Sequence, residues 1–243
     1  MTRDDLTAGS WLALCVHGGG GGGWEWDAWS RVFAARGFTT LAPDLEPSAA
    51  GLAATRFVDY REQVLVRGRD LARPGMPLAV VGASLGGLLA LSVAAELGAA
   101  ALVLVNPLPP AGVVARLPGE ARPPIVPWGR QRSLASTRRA LPDADDATIL
   151  YALRRWRDES GAVLDEARAG IAVEPPRCPV LVLSSEHDDE VPPLASRALA
   201  VRLGADFESL RAASHVGPLL GTRAAVIAAR VADWLGTRAA QQG

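Results

Sequence analysis

Two kinds of apolar pattern alternate along this chain. The first is a short unbroken run: Trp11 to Val16, Phe38 to Ala42, Leu78 to Val81, Ala101 to Val105 and Val180 to Leu183, with a weaker one at Phe207 to Leu210. Runs this short, apolar at nearly every position, suit strands covered on both faces, as in a parallel sheet. The second kind is longer. Helices are predicted from Trp24 to Arg36, about Thr55 to Leu71, Leu85 to Leu97, Pro193 to Leu203 and Ala224 to Leu235. Gly37, Arg73-Pro74-Gly75 and Gly98 stand just past the earlier of these segments, where helices stop.

Strands alternating with such helices build βαβ units. The predicted fold is therefore α/β, a doubly wound, mostly parallel sheet with helices on both faces. Residues 107–176 interrupt the alternation: the stretch is proline-rich up to Trp128 and helical in pattern from roughly Ser133. It is too long for a plain connection, and its helical content predicts a lid or cap inserted into a core made of 1–106 and 177–243.

Composition changes this picture only at the edges. A length of 243 residues suits one α/β domain with an insertion. The formal net charge of −1 gives no general pull toward nucleic acid or acidic membrane surfaces. No apolar run approaches the ~20 residues of a membrane span, and no apolar signal core follows Met1-Thr2-Arg3-Asp4-Asp5, so a cytoplasmic protein is expected. Cys15 and Cys178 are read as buried thiols and not as a disulfide framework. All 25 basic residues are arginine, which removes lysine from every candidate mechanism.

The candidate chemistry begins where the Leu78 run enters Gly82-Ala83-Ser84-Leu85-Gly86, a G-x-S-x-G sequence between a predicted strand and a predicted helix. In that context the serine occupies the tip of a tight strand-to-helix turn, and the glycines let strand and helix approach. An activated serine needs a base and a group that orients the base. The chain has only His17, His187 and His215, and His215 follows the last predicted strand in Ala213-Ser214-His215-Val216-Gly217. Asp188 follows the Val180 run among Glu186, His187, Asp189 and Glu190. Ser84, Asp188 and His215 thus stand in the Ser…Asp…His order that accompanies a genuine elbow. Like Gly18 to Gly23, they come just after predicted strands, so they share the carboxyl edge of the sheet.

The six glycines also satisfy G-x-G-x-x-G, with Asp44 where a ribose-binding acid would stand. A run of glycine meets that pattern trivially, and a dinucleotide reading leaves Ser84 and His215 without a use. His187 with Glu186 and Asp188 lacks a second histidine at metal-ligand spacing. Neither a cofactor nor a metal is expected.

Several motifs now combine: His17-Gly18 with the glycines and Trp24, Ala42-Pro43-Asp44-Leu45, the elbow, Glu186-His187-Asp188 with Val191-Pro192, and Ser214-His215. Together they resemble the α/β-hydrolase superfamily. The His17, Gly18, Trp24 spacing and the near absence of an N-terminal hairpin resemble its small-esterase branch of plant-type methylesterases and hydroxynitrile lyases. Two departures stand out: Ala83 occupies the position where histidine is commonest, and Glu46-Pro47-Ser48-Ala49 replaces the usual Pro-Gly-x-Gly turn. The resemblance implies a serine esterase with Ser84 as nucleophile, His215 as base and then acid, and Asp188 as orienting carboxylate, Asp189 being the alternative. Asn106 occupies the acid position that some relatives use after the fourth strand.

It also implies an oxyanion hole made by the Leu85 amide and one glycine-loop amide. Gly19 is preferred, with Gly18 and Gly20 open. The pocket is assigned to His17, Trp24, Trp128, Trp156 and Val216, although a bracing hydrogen bond competes for His17 and loop packing for Trp24. A small-molecule ester or acyl compound is the expected partner, and the sequence leaves the oligomeric state open. Thioesterase or lactonase activity would use the same triad. A lyase or cyclase on the same fold is the more distant alternative, its hydroxynitrile-lyase form disfavoured by the missing lysine.

Overall fold

The computed structural model describes residues 11–113, 121–211 and 213–239. Residues 1–10, 212 and 240–243 of the expected core, and 114–120 of the expected insertion, lie outside the described residues. The strands are β1 (Leu12–Val16), β2 (Thr39–Leu41), β3 (Leu78–Ala83), β4 (Ala101–Val105), β5 (Ile125–Val126), β6 (Glu159–Ser160), β7 (Val180–Ser185) and β8 (Asp206–Leu210). The α-helices are α1 (Asp27–Ala35), α2 (Phe57–Leu71), α3 (Leu85–Ala94), α4 (Leu134–Ala140), α5 (Asp146–Leu153), α6 (Gly161–Ala169), α7 (Pro193–Leu203), α8 (Gly217–Leu220) and α9 (Ala224–Ala239).

Six strands form one sheet in the order β2-β1-β3-β4-β7-β8, every pairing parallel. Successive side chains of a strand point to opposite faces, and here both faces are apolar. Leu12, Leu14, Val80, Leu102, Leu104 and Val182 pack with α2, α3 and α7. Ala13, Cys15, Val81, Val103, Leu181 and Leu183 pack with α1 and α9. On this second face small Ala13, Ala79 and Ala101 make room for Trp26, Trp29 and Phe33, each fully buried. Helix α3 is buried all along except at Ser92, which explains why its sequence shows no polar face. Cys15 is buried without a disulfide, and burial pushes its thiol far above the ordinary range.

Register places the strand ends level. Val16 lies opposite Gly82, Ala83 opposite Val105, and Val105 opposite Leu183. Loops leaving these residues therefore emerge on one edge.

The 107–176 stretch packs against both faces. Val163, Leu164 and Ala167 of α6 join the first core, while Leu141, Ile149 and Ala152 join the second. Its helices start at side-chain caps: Ser133 accepts from the Ser136 amide, Asp145 from Thr148 and Ser160 from Val163. Each such cap contributes about 1 kcal/mol. The antiparallel β5–β6 pair and the single-turn α8 were not among the predicted elements. Strands of two residues carry no periodicity to read, and α8 forms around Gly217-Pro218, a pair that reads as a loop. Among the described residues no helix is long and apolar enough to cross a membrane.

Candidate active site

Ser84 connects β3 to α3 with φ 53° and ψ −121°, a left-handed region that costs a non-glycine residue roughly 1–3 kcal/mol. The surroundings hold it there. Its N–H donates to the Val105 carbonyl at 3.0 Å, and its carbonyl accepts from Gly87, Leu88 and Leu108. A Cβ on Gly82 would stand 2.1 Å from the Gly86 carbonyl oxygen, and one on Gly86 would stand 2.2 Å from the Val16 carbonyl oxygen. Both contacts are with backbone, so only glycine fits either side of the serine.

His215 lies between β8 and α8, its Nδ1 2.9 Å and 2.8 Å from the two carboxylate oxygens of Asp188. A carboxylate only accepts, so this contact puts a proton on Nδ1 and leaves the Nε2 lone pair of a neutral ring available. Asp188 is itself held by the Glu190 and Val191 amides at 2.9 Å and 2.8 Å. Asp189 stands beside it on the same loop but makes no contact with His215 among the described residues. His187 is exposed.

Two further side chains hold the histidine loop. Asn106, at φ 45° just past β4, donates through Nδ2 to the His215 carbonyl at 2.6 Å and to Ser185 Oγ at 2.9 Å, and accepts from the Ser185 amide at 2.7 Å. It ties the ends of β4 and β7 to the histidine. Asp143, between α4 and α5, accepts from the Ser214 hydroxyl at 2.7 Å and the Ser214 amide at 3.1 Å. The 107–176 stretch thus grips the residue next to His215.

The glycine loop comes within contact of the elbow. A Cβ on Gly18 would lie 3.2 Å from Ser84 Cβ and 3.8 Å from Ser84 Oγ. Buried His17 donates from Nδ1 to the Gly18 carbonyl at 2.7 Å and accepts at Nε2 from the Leu45 amide at 3.0 Å. Both nitrogens are engaged as in a neutral ring, and burial lowers the imidazole pKa to about 4. Buried Glu25 accepts from the Gly18 amide at 3.4 Å, and burial raises its carboxyl to about 8. Glu159 of β6 accepts from the Gly20 amide at 3.0 Å, the Tyr60 hydroxyl at 2.9 Å and its neighbour Ser160's amide at 2.7 Å.

The sequence matches the model of the alpha/beta hydrolase family over residues 13–230. The chain belongs to the α/β-hydrolase family. No curated protein matches it. Solved α/β-hydrolase structures resemble it across nearly its whole length. A mutant form of tomato methylketone synthase I is 12% identical with TM-score 0.73, over 95% of this chain and 99% of the other. A methylesterase from Arabidopsis is 13% identical with TM-score 0.72, over 93% and 99%. A structure from work on two metagenome-derived lipolytic enzymes is 20% identical with TM-score 0.67, over 94% and 95%.

In this hydrolase a cleft of about 440 Å³ is lined by Ser84, His215, Gly19, Trp128, Trp156 and Val216, among others. His17 and Trp24, also expected at the pocket, lie behind it. His17 braces the glycine loop, and Trp24 packs edge-on against Trp156 at 5.3 Å and Tyr151 at 5.7 Å. Among the described residues no three His, Cys, Asp or Glu side chains gather as a metal site. Glu25, Asp143 and Glu159 went unread as site residues. Glu25 had a signal: it falls four residues before Trp29 on the apolar side of the helix predicted from Trp24, an odd place for a carboxylate, although in the structure it lies in a 3-10 turn just before α1. Glu159 had none, because Gly20 and Tyr60 are 139 and 99 residues away.

Proposed function

We propose that this chain is a serine hydrolase that cleaves a carboxylic ester through an acyl-enzyme on Ser84. The observation that carries the reading is His215, paired with Asp188, lining the same cleft as a serine held at a strained elbow. Structural neighbours described as a methylesterase, polyneuridine aldehyde esterase and pyrethroid hydrolase add support.

In this mechanism His215 Nε2 takes the Ser84 Oγ proton as the oxygen attacks the ester carbonyl. Asp188 keeps the ring in the productive tautomer and stabilises the imidazolium without taking its proton. Negative charge moves to the carbonyl oxygen, which needs donors already in place. Leu85, first in its helix, has no intrahelical acceptor for its N–H, and the helix dipole favours charge there. For the second donor, Gly18 and Gly20 give their amides to Glu25 and Glu159. Gly19 between them is the part-exposed residue of the three, which supports its amide as the donor. His215 then protonates the departing alcohol and activates water to hydrolyse the acyl-enzyme. The 107–176 stretch serves as the lid, presenting Trp128 and Trp156 to the substrate.

Intact mass after fluorophosphonate treatment tests this, with turnover of simple aryl esters alongside. One adduct is expected on the wild type and none on Ser84→Ala, which should fold normally and lose activity by roughly three decades or more. Full activity in Ser84→Ala would end the proposal.

A further inference from the structure

The cleft beside Ser84 is more basic than a neutral ester requires. Arg122, Arg132, Arg139 and Arg168 line it, against Asp189 and Glu190. Arg122 is the telling member. Its guanidinium lies over the Trp128 ring, 5.6 Å from the centroid. The same ring reaches the glycine loop, with Cζ3 3.5 Å from where a Gly19 Cβ would stand. One indole therefore separates this cation from the proposed oxyanion donor. Arg122 Nε is buried and has no acceptor among the described residues. A buried donor left unpaired is destabilising, and a ligand oxygen would satisfy it. Burial first, and then the nearby Arg168, lower the Arg122 pKa, while Glu190 and Asp165 partly offset them. The planar fork of arginine suits a carboxylate, and one indole fills the gap between the anion and the reacting carbonyl.

We propose that the substrate carries a carboxylate several bonds from its ester, and that Arg122 binds it while Arg132 and Arg139 add positive field at the rim. This rests on the Ser84 reading. It predicts a half-ester of a dicarboxylic acid, or a similarly charged ester, as the preferred substrate class.

The test compares an aryl ester of glutaric acid, with its far carboxyl free, against the aryl ester of uncharged valeric acid. Wild type should favour the charged ester in kcat/KM by about tenfold or more, and added salt should erode the preference. In Arg122→Gln the charged-to-neutral ratio should fall about tenfold to hundredfold, with Arg122→Lys in between. Calorimetric binding of both esters to Ser84→Ala supplies a second readout that needs no Arg122 variant. Turnover of the neutral ester with no preference for the charged one, or a ratio unchanged in Arg122→Gln, overturns the carboxylate site and leaves the hydrolase reading standing. Preferential binding of the charged ester to Ser84→Ala, with neither ester hydrolysed by wild type, supports the site and removes the hydrolase reading.

Discussion

Asp188 and Asp189 are chemically identical neighbours, and only geometry separates them. Asp188 sets both oxygens against His215 Nδ1 and is steadied by the Glu190 and Val191 amides, whereas Asp189 faces the cleft rim. Under the proposed mechanism Asp188→Asn presents an amide that can force the wrong histidine tautomer. It should lower kcat by several decades, while Asp189→Asn should cost less than about tenfold. Steady-state kinetics on the two variants decides the matter, and the reverse ranking would move the acid to Asp189. At this scale the Asp188–His215 contact and the Ser84 elbow were legible, because these residues are marked by local context: an elbow between strand and helix, and loops after strands. The preference for Gly19 over Gly18 and Gly20 came from the resemblance and not from local context. Six identical residues carry no local distinction, and what separates Gly19 is that its neighbours' amides go to Glu25 and Glu159.

Among the elements, the α4–α5 connection has a role its sequence does not advertise. Asp143 leaves the 107–176 stretch to hold Ser214, and a Cβ on Gly217 would stand 1.9 Å from its carboxylate. The His215 loop thus closes around an acid supplied by the 107–176 stretch. Asp143→Ala should retain the helical content seen by circular dichroism but lower kcat/KM about tenfold as the His215 loop loses its fixed setting. An unchanged kcat/KM would reduce Asp143 to a packing residue. The helices of this stretch were readable from their pattern beginning near Ser133, where the structure places a side-chain cap. The β5–β6 pair was not, since its partners are far apart in the chain.

For the molecule as a whole, two buried titratable groups beneath the glycine loop set how stability varies with pH. Glu25 ordinarily titrates at 4.5 and reaches about 8 when folded, so between these values the folded chain holds a proton that the unfolded chain releases. Stability from Glu25 therefore falls as pH rises through that window. His17 drops from 6.5 to about 4, so between those values the unfolded chain binds the extra proton and stability rises with pH. The two oppose each other below pH 6.5, and Glu25 acts without His17 from there to about 8. Urea-unfolding free energy should decline across pH 6.5–8 by up to ~1.4 kcal/mol per unit. Glu25→Gln should flatten that decline. An equal slope in both proteins would assign the titration elsewhere.

What the sequence by itself determined is whatever neighbouring residues encode. Unbroken apolar runs specify strands buried on both sides, glycines two residues either side of Ser84 specify the elbow, and motif order along the chain specifies which loops share an edge. Tertiary structure alone decided how those loops are held. Glu159 reaches Gly20, Asp143 reaches Ser214 and Arg122 comes to lie over Trp128 near the glycine loop. The physical reason is that hydrogen bonds and charge pairs act over a few ångströms in space regardless of separation along the chain. An isolated carboxylate or guanidinium in a polar stretch looks the same in sequence whether it faces water or closes a site.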